Sequence, residues 1–433
     1  MKYYFIGIKG TGMAALAVML HELGNEVCGS DLQNHFFTED ELRERGIPIF
    51  SFDPDNITEE YDTVIIGNAF LEDFPEVIKA RATCKCFRYH EFLGEFMKDY
   101  QTVAICGSHG KTTTTTLCKT MLSGFRKTAY LIGDGEGFVE KDSEYLCVEA
   151  DEFRRHFACY HPEYAIITNI EIDHVDYFKD ETDYFNAYQE FVDNVKKTVF
   201  YYGDDEWCRK LVFPVDSYSF GLTDNNDYYP KDLQIHGDHT SFDLYYRDSF
   251  LYRYDVPLVG DHVIIDVLGV IALGDRMGFA HEKIQENLNS YIGPKRRYVI
   301  ERYGDTVFVD DYAHHPTEVK VTIEASRKRF PDKKIIAIFK PHRASRVLYF
   351  AEDFKNALQL ADEVYLIDFT SIDDKQDGTD IDISYLEKMI PDSHILSEDE
   401  DGAKLLTQYK GECLVFMSSK DIYNIAQLVK KYL

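Results

Sequence analysis

The chain has 433 residues, 45% of them apolar and 28% charged, the balance of a globular protein of about two to four domains. Its net charge of −29 argues against nucleic acid or an anionic membrane surface as partner, because both need a basic field. No run of the roughly 18 apolar residues needed to span a bilayer is present.

Lys2 and the apolar run behind it resemble the start of a secretion signal, but Gly7, Lys9, Gly10 and Gly12 interrupt it. The run reads instead as a strand over 3–8, a glycine turn, a helix over 13–23 and a strand over 26–29 that leads to Asp31. That order is a mononucleotide-binding half. A strand at 63–66 follows, and Pro- and charge-containing stretches end this first unit near residue 98. Strands at 102–106, 145–148 and 164–168 alternate with helices, which predicts a mostly parallel sheet. Short alternating runs rich in Tyr and Asp over 215–258 predict an antiparallel excursion. A third unit begins near Gly293–Pro294, with strands at 306–309, 334–339, 363–367 and 413–417. The nine Cys are scattered, and Cys84 and Cys86 have no second pair to complete a zinc site, so reduced thiols and a cytoplasmic location are expected.

The chemistry concentrates in Gly107-Ser108-His109-Gly110-Lys111-Thr112, which follows a strand and opens a helix. Glycines let backbone N–H groups approach phosphate oxygens, and the helix N-terminus adds a positive dipole end. Lys111 would reach the β- and γ-phosphates, and the Thr112 hydroxyl would bind Mg²⁺. The full phosphate-loop pattern wants glycine where this chain has Ile105. Glu149 ends a strand in Glu149-Ala150-Asp151-Glu152, and His174 follows the next strand in Asp173-His174-Val175-Asp176. Beside a phosphate loop these form a Mg²⁺ site of oxygen ligands and one imidazole.

These segments, with Thr168-Asn169-Ile170, resemble the Mur ligase family. Five further segments resemble its alanine-adding branch: Gly7 to Met13, Gly260-Asp261-His262, Lys295-Arg296-Arg297-Tyr298, the block from Asp310 to Glu318 (D-D-Y-A-H-H-P-T-E), and Pro341-His342-Arg343 with Arg346. Glu149 to Phe157 is similar to the version in Firmicute-type enzymes. The resemblance covers nearly the whole chain. It implies an α/β fold of three domains: a Rossmann-like UDP-sugar-binding domain over 1–98, a central P-loop ATP-binding parallel sheet over 99–293, and a Rossmann-like C-terminal domain over 294–433 that closes over the site.

The resemblance implies an acyl phosphate made from ATP on the lactyl carboxylate of UDP-N-acetylmuramate, then attack by the amine of L-alanine. Mg²⁺ is the implied metal, with Mn²⁺ able to substitute. Gly10, Thr11, Gly12 and Met13 would hold the UDP diphosphate, with Asp31 near the uridine. Gly107, Ser108, His109, Gly110, Lys111, Thr112 and Thr113 would hold ATP, with Asp310 at its ribose. Thr112 and Glu149 would share one metal ion, and Glu149 and His174 a second. Tyr312, His314, His342, Arg343 and Arg346 would surround the alanine and the muramyl carboxylate. Arg297 would lean toward the phosphates, or Arg296 in its place. No side-chain nucleophile is implied.

Three departures from the family pattern stand out. Asp266 replaces an Asn that bears on adenine recognition; it would read adenine as an acceptor or point to solvent. Lys340 replaces a Gln, and Ser418-Ser419-Lys420-Asp421 replaces Gly-Ala-Gly-Asp. A recycling ligase that attaches a whole peptide to the same UDP-sugar, folylpolyglutamate synthase and a non-catalytic nucleotide-binding homologue are the alternatives.

Overall fold

A computed structural model describes residues 1–294, 296–369, 378–420 and 422–433, so Lys295 and Asp421 lie outside the described residues. It divides into two compact units, Met1–Glu171 with Glu181–Ile292, and Ile172–Asp180 with Gly293–Leu433.

The first unit holds two sheets. The strands of the smaller one are β1 (Lys2–Ile6), β2 (Glu26–Ser30), β3 (Ile49–Phe50), β4 (Thr63–Ile66) and β5 (Cys86–Arg88). All are parallel, in the order β3-β2-β1-β4-β5. Tyr4, Ile6, Val64 and Ile66 are fully buried, which is why these runs read as continuous apolar stretches. The order reverses between β1 and β4, and ligands of open α/β sheets lie outside the carboxyl ends of strands at such a point.

The second sheet has ten strands: β6 (Gln101–Cys106), β7 (Thr128–Leu131), β8 (Gly137–Phe138), β9 (Tyr145–Glu149), β10 (Tyr164–Ile167), β11 (Thr198–Tyr202), β12 (Asp216–Phe220), β13 (Tyr228–His236), β14 (His239–Tyr246) and β15 (Ser249–Val256). Their order is β15-β14-β13-β12-β11-β10-β6-β9-β7-β8. The excursion expected over 215–258 is antiparallel only from β13 to β15, because β12 extends the parallel ladder of β11. The helices Lys111–Ser123 and Asp261–Arg276 bring Leu117, Met121, Val267 and Ile271 into one core with Val103, Ile105 and Ile166 of this sheet. The first helix is Thr-rich, a poor helix-forming composition. Thr115, Thr116 and Thr120 each donate a hydroxyl hydrogen bond to the carbonyl four residues back, at 2.7–2.8 Å.

The second unit carries β16 (Val299–Tyr303), β17 (Thr306–Asp311), β18 (Ile335–Phe339), β19 (Glu363–Leu366), β20 (Ser393–Ile395) and β21 (Cys413–Met417), in the order β16-β17-β21-β18-β19-β20. Among the described residues of this sheet, only β16 runs antiparallel. The segment Ile172–Asp180 belongs to this unit, and Ile172 and Val175 pack against its core. No helix of the described residues is long and apolar enough to cross a membrane.

Candidate active site

The turn after β1 is shaped by two close approaches. A Cβ on Gly7 (φ +84°) would stand 2.2 Å from the Phe70 ring, and one on Gly12 2.4 Å from the Tyr89 hydroxyl oxygen. Gly10 and Thr11 are exposed at the start of the helix Thr11–Glu22, whereas the Met13 side chain is buried. Asp31 accepts the backbone N–H of Lys9 at 2.7 Å and that of Leu32 at 2.7 Å, so its carboxylate braces the turn. Lys9 is a second brace that the sequence reading passed over. Its ammonium donates to the carbonyls of Leu32 (2.7 Å) and Asn34 (2.9 Å) and pairs with buried Glu39 at 2.6 Å.

The loop after β6 is shaped by two glycines and opens directly into a helix. A Cβ on Gly107 (φ +141°) would meet the Thr168 hydroxyl oxygen at 1.9 Å, and Gly110 (φ +84°) N-caps the helix Lys111–Ser123. Residues after β10 grip this loop. The Asn169 side chain accepts from His109 N–H and donates to His109 C=O, both at 3.0 Å. Ser108 Oγ donates to the Glu171 carbonyl at 2.6 Å, and His109 Nε2 stands 3.0 Å from Glu171 Oε2. Ser108 and His109 thus hold the loop's shape from the side-chain side. Thr112 is buried, and Thr113 half-buried.

Lys111 donates to Glu152 Oε2 at 2.8 Å and to the carbonyls of Gly107 and Ser108. Burial works against its charge, but Glu152, Asp151 and Glu149 outweigh burial and hold the ammonium above the ordinary lysine range. Glu149 accepts the Gly133 N–H at 2.6 Å at the carboxyl end of β9. Three carboxylates around one ammonium leave an excess of negative charge, and with the Thr112 hydroxyl they supply the hard oxygen donors that Mg²⁺ prefers.

Asp266 does not point to solvent. It is 6% exposed on the helix Asp261–Arg276, and its Oδ1 lies 2.9 Å from where a Cβ on Gly110 would be. Burial pushes its carboxyl well above the usual range, against a lowering contribution from Thr114. The alternative of a solvent-facing Asp266 is thereby corrected: the side chain is buried against Gly110.

In the second unit, the D-D-Y-A-H-H-P-T-E block is a strand end, a turn and a helix start. Asp311 accepts N–H bonds from Tyr298 (2.7 Å) and Ala313 (2.8 Å). His315 caps the helix Pro316–Arg329, with Pro316 in its first turn and Glu318 closing a capping box. His314 Nδ1 stands 3.0 Å from Glu318, and its ring meets that of Tyr312 edge-on at 5.3 Å. Arg297 lies over the Tyr312 ring at 4.6 Å. Arg296 donates to the carbonyls of Ser418 (2.9 Å) and Lys420 (2.7 Å), which ties it to the loop after β21, and Arg297 pairs with Glu318 at 3.7 Å. Asp310 is half-buried beside Tyr423 and Lys430, with its carboxyl raised chiefly by burial. The Ser418 substitution is accommodated locally, since its hydroxyl accepts the Lys420 N–H at 3.0 Å. Lys340 pairs with Glu398 at 2.7 Å.

Arg346 and Arg343 both meet carboxylates of the segment Ile172–Asp180. Arg346 is 3% exposed and directs Nε (3.0 Å) and Nη2 (2.8 Å) to Asp173 Oδ1. Arg343, in a left-handed conformation at φ +65°, pairs with Asp176. Burial would raise the Asp173 carboxyl, but Arg346, His174, His315 and His314 hold it well below the usual range. His174, also left-handed at φ +52°, stands in the same segment, and His342 contributes its carbonyl to Arg346 at 3.4 Å. The role expected of Arg346 at an amino-acid carboxylate meets a side chain already engaged by Asp173.

Three family profiles match the chain in succession: the Mur ligase family catalytic domain over residues 2–101, the Mur ligase middle domain over 105–274, and the Mur ligase glutamate ligase domain over 295–419. Among solved structures, UDP-N-acetylmuramate-alanine ligase MurC from Thermotoga maritima is 26% identical, with a TM-score of 0.83 over 100% of this chain and 99% of that one. A murein peptide ligase from Psychrobacter arcticus is 23% identical, with a TM-score of 0.73 over 99% and 97%. The MurF ligase of Thermotoga maritima, solved in complex with ADP, shares the fold at 18% identity and a TM-score of 0.65 over 94% of each chain. With a glycine loop opening a helix, a lysine held among carboxylates and three matching domains in order, the chain belongs to the Mur ligase family.

Proposed function

We propose that this ATP-dependent Mur ligase joins L-alanine to the lactyl carboxylate of UDP-N-acetylmuramate. The observation that carries the chemistry is Lys111, set at the N-terminus of its helix against Glu152 and two loop carbonyls. The full-length likeness to an alanine-adding ligase carries the choice of substrates.

A carboxylate is a poor electrophile, so it must gain a leaving group before an amine can displace anything from it. The backbone N–H groups of the 107–112 loop and the helix dipole receive the ATP phosphates. Lys111 exchanges its carbonyl contacts for phosphate oxygens and offsets charge as the lactyl carboxylate oxygen attacks the γ-phosphorus and ADP leaves. Thr112, Glu149 and His174 are the residues to hold Mg²⁺, which when bound neutralises phosphate charge. The free amine of alanine then attacks the acyl carbon, loses a proton, and inorganic phosphate departs from the tetrahedral intermediate. Arg297 is assigned to the phosphates, and Tyr312, His314, His342 and Arg343 to the amino acid. Asp310 is assigned to the ribose of ATP, and Gly10, Thr11, Gly12 and Met13 to the UDP diphosphate.

The test is phosphate release with ATP, Mg²⁺ and UDP-N-acetylmuramate against a panel of amino acids and one tripeptide. Release with L-alanine above all others is expected. Release only with the tripeptide would replace this reading with that of a peptide ligase, and none with any amine would refute catalysis of this reaction.

A further inference from the structure

Asn68 lies two residues beyond β4, at the carboxyl end of the strand that borders the reversal of strand order. Its amide bridges two imidazoles. Asn68 Oδ1 is 2.9 Å from His90 Nδ1, and Asn68 Nδ2 is 3.3 Å from His156 Nδ1. The rings are stacked, with centroids 4.3 Å apart and planes inclined by 17°. His156 is 8% exposed, and Asp151, at 3.8 Å from its Nδ1, is too far for a hydrogen bond. No hydrogen bond to either Nε2 is present among the described residues.

One amide has one oxygen and one NH₂, so it must accept from one ring and donate to the other. The two rings are thereby forced into opposite tautomers, whichever way the amide is turned. Both Nδ1 atoms face the amide, so the two Nε2 atoms lie on the far side of the stack. One of them carries a hydrogen and the other a lone pair. A cation would need two lone pairs and an anion two hydrogens. A hydroxyl group needs one of each, because its oxygen accepts while its hydrogen donates. Burial, helped by His156, pushes His90 down to about 4, which keeps that ring neutral. Tyr89, the chain neighbour of His90, sets its hydroxyl against Gly12 of the turn after β1.

We infer that Asn68, His90 and His156 form a subsite that reads a hydroxyl group on the sugar of the nucleotide sugar. This rests on the proposed function, which makes a UDP-linked sugar the ligand of the first sheet.

The experiment is calorimetric titration of the full chain and of His90→Phe and His156→Phe, with UDP-N-acetylmuramate and with UDP alone. Phe keeps the stack and the volume and removes the nitrogens. Each variant should bind the UDP-sugar about tenfold more weakly, the effect of one lost hydrogen bond with its partner left unpaired, and bind UDP within about twofold of the parent. Asn68→Leu, which frees both tautomers without touching either ring, should weaken UDP-sugar binding in the same direction. UDP-sugar affinity unchanged in all three variants, or UDP weakened by the same factor as the UDP-sugar, would overturn the inference. A parent that binds no UDP-N-acetylmuramate would instead fail the proposed function, a result distinguishable from the first two.

Discussion

Replacing Arg346 with Met should destabilise the second unit more than it changes any surface property. The Arg346 and Asp173 side chains are only 4% and 7% exposed, and two guanidinium nitrogens share one carboxylate oxygen. Removing the cation leaves a buried anion without its principal counter-charge. Breaking a buried pair from one side costs about 3–5 kcal/mol. At roughly 2–4 °C per kcal/mol for a unit of this size, the unfolding midpoint should fall by roughly 6–20 °C. Scanning calorimetry on the parent, Arg346→Met, Asp173→Asn and the double variant gives the coupling directly. The double variant should recover much of the loss, because it removes the stranded charge. Arg346→Lys should fall between, since an ammonium keeps the charge but loses the fork. A loss below about 1 kcal/mol in Arg346→Met would show that Arg346 does not hold the segment, and would return it to the amino-acid pocket.

Lys111→Ala should abolish phosphate release while UDP-N-acetylmuramate binding, titrated calorimetrically, stays near the parent's; an equal loss of both would refute the placement of the two sites in separate sheets. Asp266→Asn should raise the unfolding midpoint at neutral pH. A carboxyl raised on folding contributes stability below its unfolded value near pH 4 that is lost as pH rises through the folded value, and the amide has no such loss. Midpoints measured from pH 4 to 8 that run parallel in parent and variant would contradict this. Excess EDTA should stop turnover and added Mg²⁺ should restore it, as read by phosphate release; full activity in EDTA would remove the metal from the site.

The strands were legible where burial is complete on both faces. Thr63–Ile66 and Cys413–Met417 match the apolar runs at 63–66 and 413–417 residue for residue. The strand expected at 306–309 continues to Asp311, because Asp310 and Asp311 still pair with Phe416 and Met417. A charge at a strand end says nothing about whether its backbone has a partner. The strand-loop-helix context of residues 107–112 was legible because two closely spaced glycines, Gly107 and Gly110, mark the turn into the helix. The grip of Asn169 on His109, the Lys9–Glu39 brace and the Asn68–His90–His156 stack were not legible. Each joins loop or helix residues that follow different strands, and no local pattern records which of these segments a sheet order brings together. Asp266 was misread for the same reason, since a helix position alone does not reveal that Gly110 and burial face it.

The partnership of Asp173 with Arg346 also has a consequence in time. The two residues are 173 positions apart in the chain. At about 5–20 residues per second of synthesis, Asp173 emerges roughly nine to thirty-five seconds before the arginine that will neutralise it. Through that interval Ile172 and Val175, beside Asp173, have only part of their core to enter, because Phe350, Phe354, Val364 and Val415 of that core are made after Arg346. The first unit must therefore carry this stretch as an open excursion while its own sheet closes around it. The second unit, in turn, cannot reach its final burial from the residues after 293 alone. A nascent chain halted before Arg346 should be cut by protease within residues 172–180 and spared there once synthesis passes the helix Ala344–Tyr349.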